Sequence, residues 1–208
     1  MIKNFISRLR RNEQGVAAIE FAVISPILVL LFFGAVELSN LLIADSKMRN
    51  VAASTADLLT QKANGEVSES DLNIANISAR EIMRPLPVTK GASPLLAILV
   101  VDYRPINKSQ ANVAWTRIIY GGGTTSTLTS QMGFIAPPCT DNNLPTALLP
   151  IDNSSPLNDV LKVTARYEWH PWFATIFSTS YVLEATNYNM PRYSLNLNAG
   201  SGVSPPCN

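Results

Sequence analysis

The chain has 208 residues, of which 15% are charged and 47% apolar, and its formal net charge at pH 7 is +1. This length suits one membrane segment plus one domain of modest size, and a near-neutral chain offers no electrostatic argument for nucleic-acid binding. Two cysteines, Cys139 and Cys207, and one histidine, His170, are too few for a Cys/His zinc site or a cysteine–histidine catalytic pair.

A long apolar segment follows the basic N-terminus. Sixteen residues without a charge separate Glu20 from Glu37. A helix over the wider segment 16–44 would be about 44 Å long, which exceeds the ~30 Å hydrocarbon core of a bilayer. The sequence therefore predicts a basic leader at residues 1–15, a transmembrane helix at 16–44 and a domain outside the cytoplasm at 45–208.

The charges that flank the segment predict its orientation. Four basic residues precede it, whereas charges of both signs follow it, so the N-terminus is expected in the cytoplasm. A cleaved secretory signal is the alternative, but its apolar region would be about 7–15 residues long and would end at a small-x-small site. The longer run and the lack of a persuasive site favour a retained helix.

Glu20 has two interpretations, and the spacing alone leaves both open. It lies about 25 Å before Glu37 along a helix, so each carboxylate could sit near one interface, where a charge costs less than at the bilayer centre. Alternatively, cleavage after Gly15 would give Val16 an ammonium group one helical turn from Glu20. The carboxylate could then neutralise that ammonium in its own or a neighbouring chain.

The arrangement of the basic leader, the glycine and "VAAIEF" resembles the processing signal of type IV pilins and pseudopilins. The most similar family is the TadE-like proteins of the tight-adherence (Tad, Flp) pilus system, and the likeness covers about residues 8–50. That family carries a glycine, then a glutamate and an aromatic residue at the fifth and sixth positions, and an early proline in the apolar helix. The matching positions here are Gly15, Glu20, Phe21, Pro26, Gly34 and Glu37.

This resemblance implies a structural protein of pilus assembly, with no enzymatic activity, no cofactor and no metal. A prepilin peptidase would cut between Gly15 and Val16, and Glu20 and Phe21 would take part in pairing between helices of neighbouring subunits. The implied partners are that peptidase, other pilins or pseudopilins, the assembly platform of the bacterial inner membrane and the lipid bilayer, but not nucleic acid. The chain is far longer than the small major pilins of the system, which favours a minor pilin.

An uncleaved bitopic envelope protein with an extracytoplasmic binding domain is the alternative function. An anchored hydrolase ranks last, because no serine lies in a nucleophile-elbow pattern. His170 is interpreted as an edge or packing residue rather than a catalytic base.

Helical spacing extends the long helix from about Val16 to Lys62, where Asn64-Gly65 would end it. A short second helix is predicted around Leu72–Ile82. Ser68 or Ser70 would cap this helix, and Pro85 and Pro87 would end it. Its apolar positions are Leu72, Ile74, Ala75, Ile77, Ala79 and Ile82.

From Ser93 onward, β-branched and aromatic residues predict strands at 95–104, 113–120, 161–170 and 180–188. The fold class is therefore α+β, with a mostly antiparallel sheet of four or more strands packed on the exposed half of the long helix. The first two strands would form a pair joined by residues 105–112. One face of the third strand would carry Val163, Ala165, Tyr167 and Trp169, and the residues of the fourth strand expected to face inward are Tyr181, Leu183 and Ala185.

Residues 121–156 are rich in turn-forming residues and are predicted to be a long surface loop. If the domain faces an oxidising compartment, one disulfide between Cys139 in this loop and Cys207 near the C-terminus is the natural use of both cysteines. The aromatic cluster Tyr167, Trp169, Trp172 and Phe173 is expected to pack in the core, with an exposed patch that binds a partner or a membrane surface as the alternative.

Overall fold

The computed structural model describes residues 13–107, 110–123, 125–126, 131–135, 137–141, 144–145, 158–172, 180–193 and 196–200. The chain divides into two compact units, Met1–Leu42 with Pro171–Thr179, and Ile43–His170 with Ser180–Asn208. Helix α1, Glu13–Thr60, contributes residues to both units.

Helix α1 begins and ends close to its predicted limits. It starts three residues before Val16 and ends two residues before Lys62, differences within the usual uncertainty of helix termini. Gly65 follows with a φ of 66°, a left-handed conformation that glycine adopts without steric cost. The prediction that Asn64-Gly65 ends the helix is consistent with this turn.

The second helix, α2, spans Glu69–Met83 with Ser68 as its N-cap. The Asp71 carboxylate accepts hydrogen bonds from the Ser68 backbone N–H at 3.0 Å and from the Ser68 hydroxyl at 2.8 Å. The buried face comprises Leu72, Ala75, Asn76, Ala79 and Met83. Two of the apolar positions of this helix, Ile74 and Ile77, lie outside the buried face and are about half exposed.

The strands of the described residues are β1 Glu66–Val67, β2 Thr89–Lys90, β3 Ser93–Pro94, β4 Leu96–Asn107, β5 Gln110–Tyr120, β6 Thr125–Ser126, β7 Thr140–Asp141, β8 Val160–Trp169, β9 Tyr181–Asn189 and β10 Asn198–Ala199. The main sheet has the spatial order β6-β5-β4-β8-β9, and all neighbouring strands are antiparallel. Strand β7 also pairs with β5, and two small ladders join β1 with β10 and β2 with β3. The predicted α+β class and antiparallel sheet are confirmed.

Both faces of β4 are buried. On one face, Leu99 and Tyr103 pack in an apolar cluster with Phe134 and Leu144 from the connection after β5. On the other face, Arg117 of β5 lies opposite Val100 and pairs with Glu69 of α2 at 2.8 Å. The second helix therefore covers that face of the sheet.

Residues 43–60 of α1 belong to the same helical layer. The Lys47 ammonium donates to the backbone oxygens of Ile82 and Arg84 at the end of α2, both at 2.7 Å. Met48 and Val51 are fully buried, and burial of each such side chain stabilises the fold by about 1.5–3 kcal/mol. A groove lined by residues 49, 50 and 53 of α1 and by residues 184–187 of β9 separates the helix from the edge strand.

Three predictions about the sheet need correction. The predicted connection at 105–112 is shorter, because β4 continues to Asn107 and β5 begins at Gln110. The predicted surface loop 121–156 includes β6, β7 and a 3₁₀ turn at Gln131–Gly133, and its buried Phe134 belongs to the core. Tyr181 was expected to face inward but is 45% exposed, because β9 is the last strand at its end of the described sheet.

Candidate membrane and subunit-contact helix

The predicted cleavage pair lies in the first turn of α1. Gly15 and Val16 are the third and fourth residues of a helix that begins at Glu13. Because a helix repeats every 3.6 residues, the backbone nitrogen of Val16 and the side chain of Glu20 lie one turn apart on the same face. In the intact chain that nitrogen is an uncharged amide. Only cleavage after Gly15 would turn it into an ammonium group that could pair with Glu20.

The helix next presents a continuous apolar surface with no protein cover. Every side chain from Ala17 to Phe32 is exposed except that of Ser25, which is half-buried. Phe21, at the predicted subunit-pairing position, is 68% exposed. Pro26 lies within the helix without ending it. Such a surface is unfavourable in water and suits lipid or the helices of other subunits.

Protein cover on α1 begins at Phe33. Phe33, Gly34, Val36, Asn40 and Leu41 are half-buried, and Glu37 is 2% exposed. These positions recur at helical spacing, so they form one stripe on the helix. A Cβ atom added at Gly34 would meet nothing within 4 Å, so packing within this chain does not require a glycine there.

A buried charged cluster in the second unit was not foreseen from the sequence. The Asp159 carboxylate is fully buried and accepts two hydrogen bonds from the Arg104 guanidinium, both at 3.1 Å. It also accepts the backbone N–H of Leu197 at 2.8 Å, and the Trp115 indole donates to the Leu197 carbonyl at 3.2 Å. The cluster therefore fastens the C-terminal segment to the sheet.

Asp102 lies beside this cluster and is fully buried. Burial raises the pKa of its carboxyl well above the ordinary value, the negative charge of Asp159 raises it further, and Arg104 opposes the shift. Within the described residues, neither carboxyl oxygen of Asp102 has a hydrogen-bond partner, which also disfavours the charged form. The signal in the sequence was a single aspartate between Val101 and Tyr103 in an otherwise apolar run, but Asp159 is distant from it in sequence.

The residues of the predicted aromatic cluster differ in their burial. Tyr167 and Trp169 are buried as expected, but Trp172 is 72% exposed, so the expectation of core packing was wrong for that residue. Phe173 lies outside the described residues.

The His170 Nδ1 atom lies 3.2 Å from the Glu168 backbone oxygen, and Nε2 lies 3.6 Å from the Glu168 carboxylate. Within the described residues, no group of three or more His, Cys, Asp or Glu side chains could hold a metal ion.

The backbone oxygen of Cys139 accepts a hydrogen bond from Val113 of β5 at 3.0 Å, which places this cysteine beside the sheet. Cys207 lies outside the described residues. The predicted disulfide between them stays a prediction.

The described fold is that of an α+β protein whose N-terminal helix is long and apolar enough to cross a membrane. Residues 15–57 match the family model described as TadE-like protein. The match begins at Gly15 and lies within α1, so it confirms the predicted resemblance to TadE-like proteins over this helix. No curated protein and no solved structure matches the chain.

Proposed function

We propose that this protein is a minor pilin or pseudopilin that takes part in assembly of a tight-adherence pilus. The observation that carries the proposal is the TadE-like match over residues 15–57, which coincides with the exposed apolar stretch of α1. A helix with this uncovered surface anchors the chain in a membrane. The match supports a role in the Tad pilus system. Cleavage by a prepilin peptidase and the role as a minor subunit are further steps of the proposal.

The proposed first step is insertion in the bacterial inner membrane, with the leader in the cytoplasm and the domain from residue 45 in the periplasm. A prepilin peptidase then cuts the peptide bond between Gly15 and Val16. The match supports this site because it starts at Gly15. Cleavage removes the basic leader and leaves a new ammonium group at the start of the apolar helix.

Glu20 acts in the next step. Its side chain is exposed in the single chain, so it is available to a neighbouring subunit. A carboxylate and an ammonium group that meet in an apolar array neutralise each other, whereas either charge alone is penalised by several kcal/mol. The pair therefore favours helices that are in register with other pilins, and Phe21 adds an exposed aromatic contact beside it.

The domain after the helix is proposed to have a structural role and no catalytic activity. Other pilins or pseudopilins and the inner-membrane assembly platform are the proposed partners, and no cofactor or catalytic group is assigned. The length of this domain favours a minor subunit over a major one. The mature protein resides in the inner membrane or in the extracellular pilus.

The intact mass of the protein recovered from the membranes of its own host tests the processing step. A mass that corresponds to residues 16–208 supports the proposal. In the variant Gly15→Leu, the peptidase should fail, and the mass should be that of the whole chain. The variant Gly34→Leu is the matched control, because it also replaces a helical glycine but should be cleaved normally. A whole-chain mass for the unmodified protein would favour an uncleaved bitopic anchor instead.

A further inference from the structure

Trp172 differs from the other two tryptophans in its surroundings. Trp115 and Trp169 are 1% and 4% exposed, whereas Trp172 is 72% exposed. It follows the end of β8 by three residues and belongs to the same compact unit as residues 13–42 of α1. A large aromatic side chain with this exposure either contacts water at a cost or meets a surface outside the chain.

The position of the bilayer along α1 indicates which surface Trp172 meets. The uncovered stretch Ala17–Phe32 is about 24 Å long, at 1.5 Å per residue. A hydrocarbon core of ~30 Å needs about 20 residues, so its outer boundary falls near Val36. The polar residues Glu37 and Asn40 then lie at the outer headgroup level, and the protein cover that begins at Phe33 reaches the same level.

We infer that Trp172 inserts in the headgroup region of the outer leaflet beside α1, with the phospholipid interface as its partner. Tryptophan prefers this region, because its ring is apolar and its indole N–H can still donate to a polar headgroup or to water. Residues 173–179 add two phenylalanines, one isoleucine and no charge to the sequence after Trp172. The inference rests on the membrane placement of the proposed function but is independent of cleavage and of pilus assembly.

An aromatic contact at this depth gives the helix a second anchor. The apolar stretch alone allows a range of tilts and depths in the bilayer, and interfacial tryptophans restrict that range. Trp172 is far from α1 in sequence but belongs to the same unit. It therefore fixes the depth of the helix through a residue outside the helix.

The test uses the full chain in phosphatidylcholine vesicles whose acyl chains carry bromine, which quenches nearby tryptophan fluorescence. Lipid bromine should quench part of the emission of the unmodified protein, and that quenched part should be lost in Trp172→Phe. The variant Trp169→Phe is the matched control: it removes a buried tryptophan and should keep the quenched part. Aqueous acrylamide should quench Trp172 in these vesicles much less than it quenches a tryptophan in free solution.

Two results would overturn the inference while the helix remains inserted. Quenching of Trp172 by acrylamide and not by brominated lipid would place it in water. Quenching by neither agent would place it under protein. Extraction at alkaline pH tests whether the helix is inserted at all. Release of the protein from the vesicles would refute its insertion in the membrane. Both this inference and the membrane anchor of the proposed function would then be wrong.

Discussion

Glu20 and Asp102 are both acidic residues within apolar sequence, but their surroundings give them opposite roles. Glu20 is exposed on an apolar helix, so it is accessible to a neighbouring chain or to a new N-terminus. Asp102 is fully buried, and its nearest charged groups belong to its own domain. The first residue is therefore a candidate for assembly, and the second affects stability.

Glu20→Gln removes the charge but preserves the size of the side chain. The variant should insert and be cleaved, because neither step uses the carboxylate. Its recovery in complexes with other pilins should fall by a factor of about ten or more, since an unpaired ammonium group then remains in the apolar array. Chemical crosslinking in host membranes measures this recovery. Val23→Ala on the same exposed stretch is the control, and undiminished recovery of Glu20→Gln would refute the pairing.

The raised pKa of Asp102 predicts how the stability of the domain depends on pH. The ordinary pKa of this carboxyl is 3.8, and the folded state has a higher value, so the folded state binds its proton more tightly than the unfolded state. The contribution of Asp102 is fully present below pH 3.8 and is lost as the pH rises through the folded pKa. Asp102→Asn, which stays neutral, should therefore be more stable than the unmodified protein at pH 7, by an amount on the order of 1 kcal/mol.

Denaturant unfolding of the full chain in detergent, followed by tryptophan fluorescence, measures this difference at several pH values. The advantage of Asp102→Asn should shrink as the pH falls towards 3.8. Asp159→Asn is the contrasting variant, because it weakens the Arg104 ion pair and the Leu197 contact and should lose about 2 kcal/mol at pH 7. If Asp102→Asn and the unmodified protein were equally stable at every pH, the Asp102 carboxyl would not be the cause of the pH dependence.

At the scale of elements, short sequence patterns predicted the features of helices and strands that depend on residues close together in the chain. The limits of α1 and the cap of α2 follow from residues within a few positions of each helix end, such as Ser68 and Asp71. The prediction that Val163, Ala165, Tyr167 and Trp169 share one face of β8 was also correct, since all four are buried. Alternation along a strand directly reflects its two faces. The candidate cleavage and pairing positions Gly15, Glu20 and Phe21 came from the same kind of short-range pattern.

Features that depend on distant parts of the chain could not be predicted in this way. The buried Phe134 comes from a segment rich in turn-forming residues, and only the folded chain shows that Phe134 packs against the sheet. The continuous apolar run in β4 was the available signal, since strands buried on both faces lose their alternation. The exposure of Tyr181 follows from the position of β9 at the edge, which its own sequence does not encode.

At the scale of the whole molecule, each unit has its own source of stability. Residues 13–42 of α1 lack a buried core of their own, and their apolar surface requires a bilayer or other helices. The second unit has a sheet that is covered on both faces and a C-terminal segment held by hydrogen bonds. Asn198 donates to Gly65 at 2.7 Å and Gly200 donates to Val67 at 2.8 Å. The domain therefore does not depend on lipid for its core.

The predicted disulfide between Cys139 and Cys207 would extend this attachment of the C-terminus. In the chain-entropy model, closing so long a loop stabilises the domain by about 4 kcal/mol. Cys139→Ser and Cys207→Ser should each lose stability of that order in denaturant unfolding, and the double variant should lose no more than either single variant, because each removes the same bond. A thiol-specific label should react with the unmodified protein only after reduction and denaturation. If both cysteines are labelled without reductant, the bond does not form, and the hydrogen bonds of residues 197–200 hold the C-terminal segment without it.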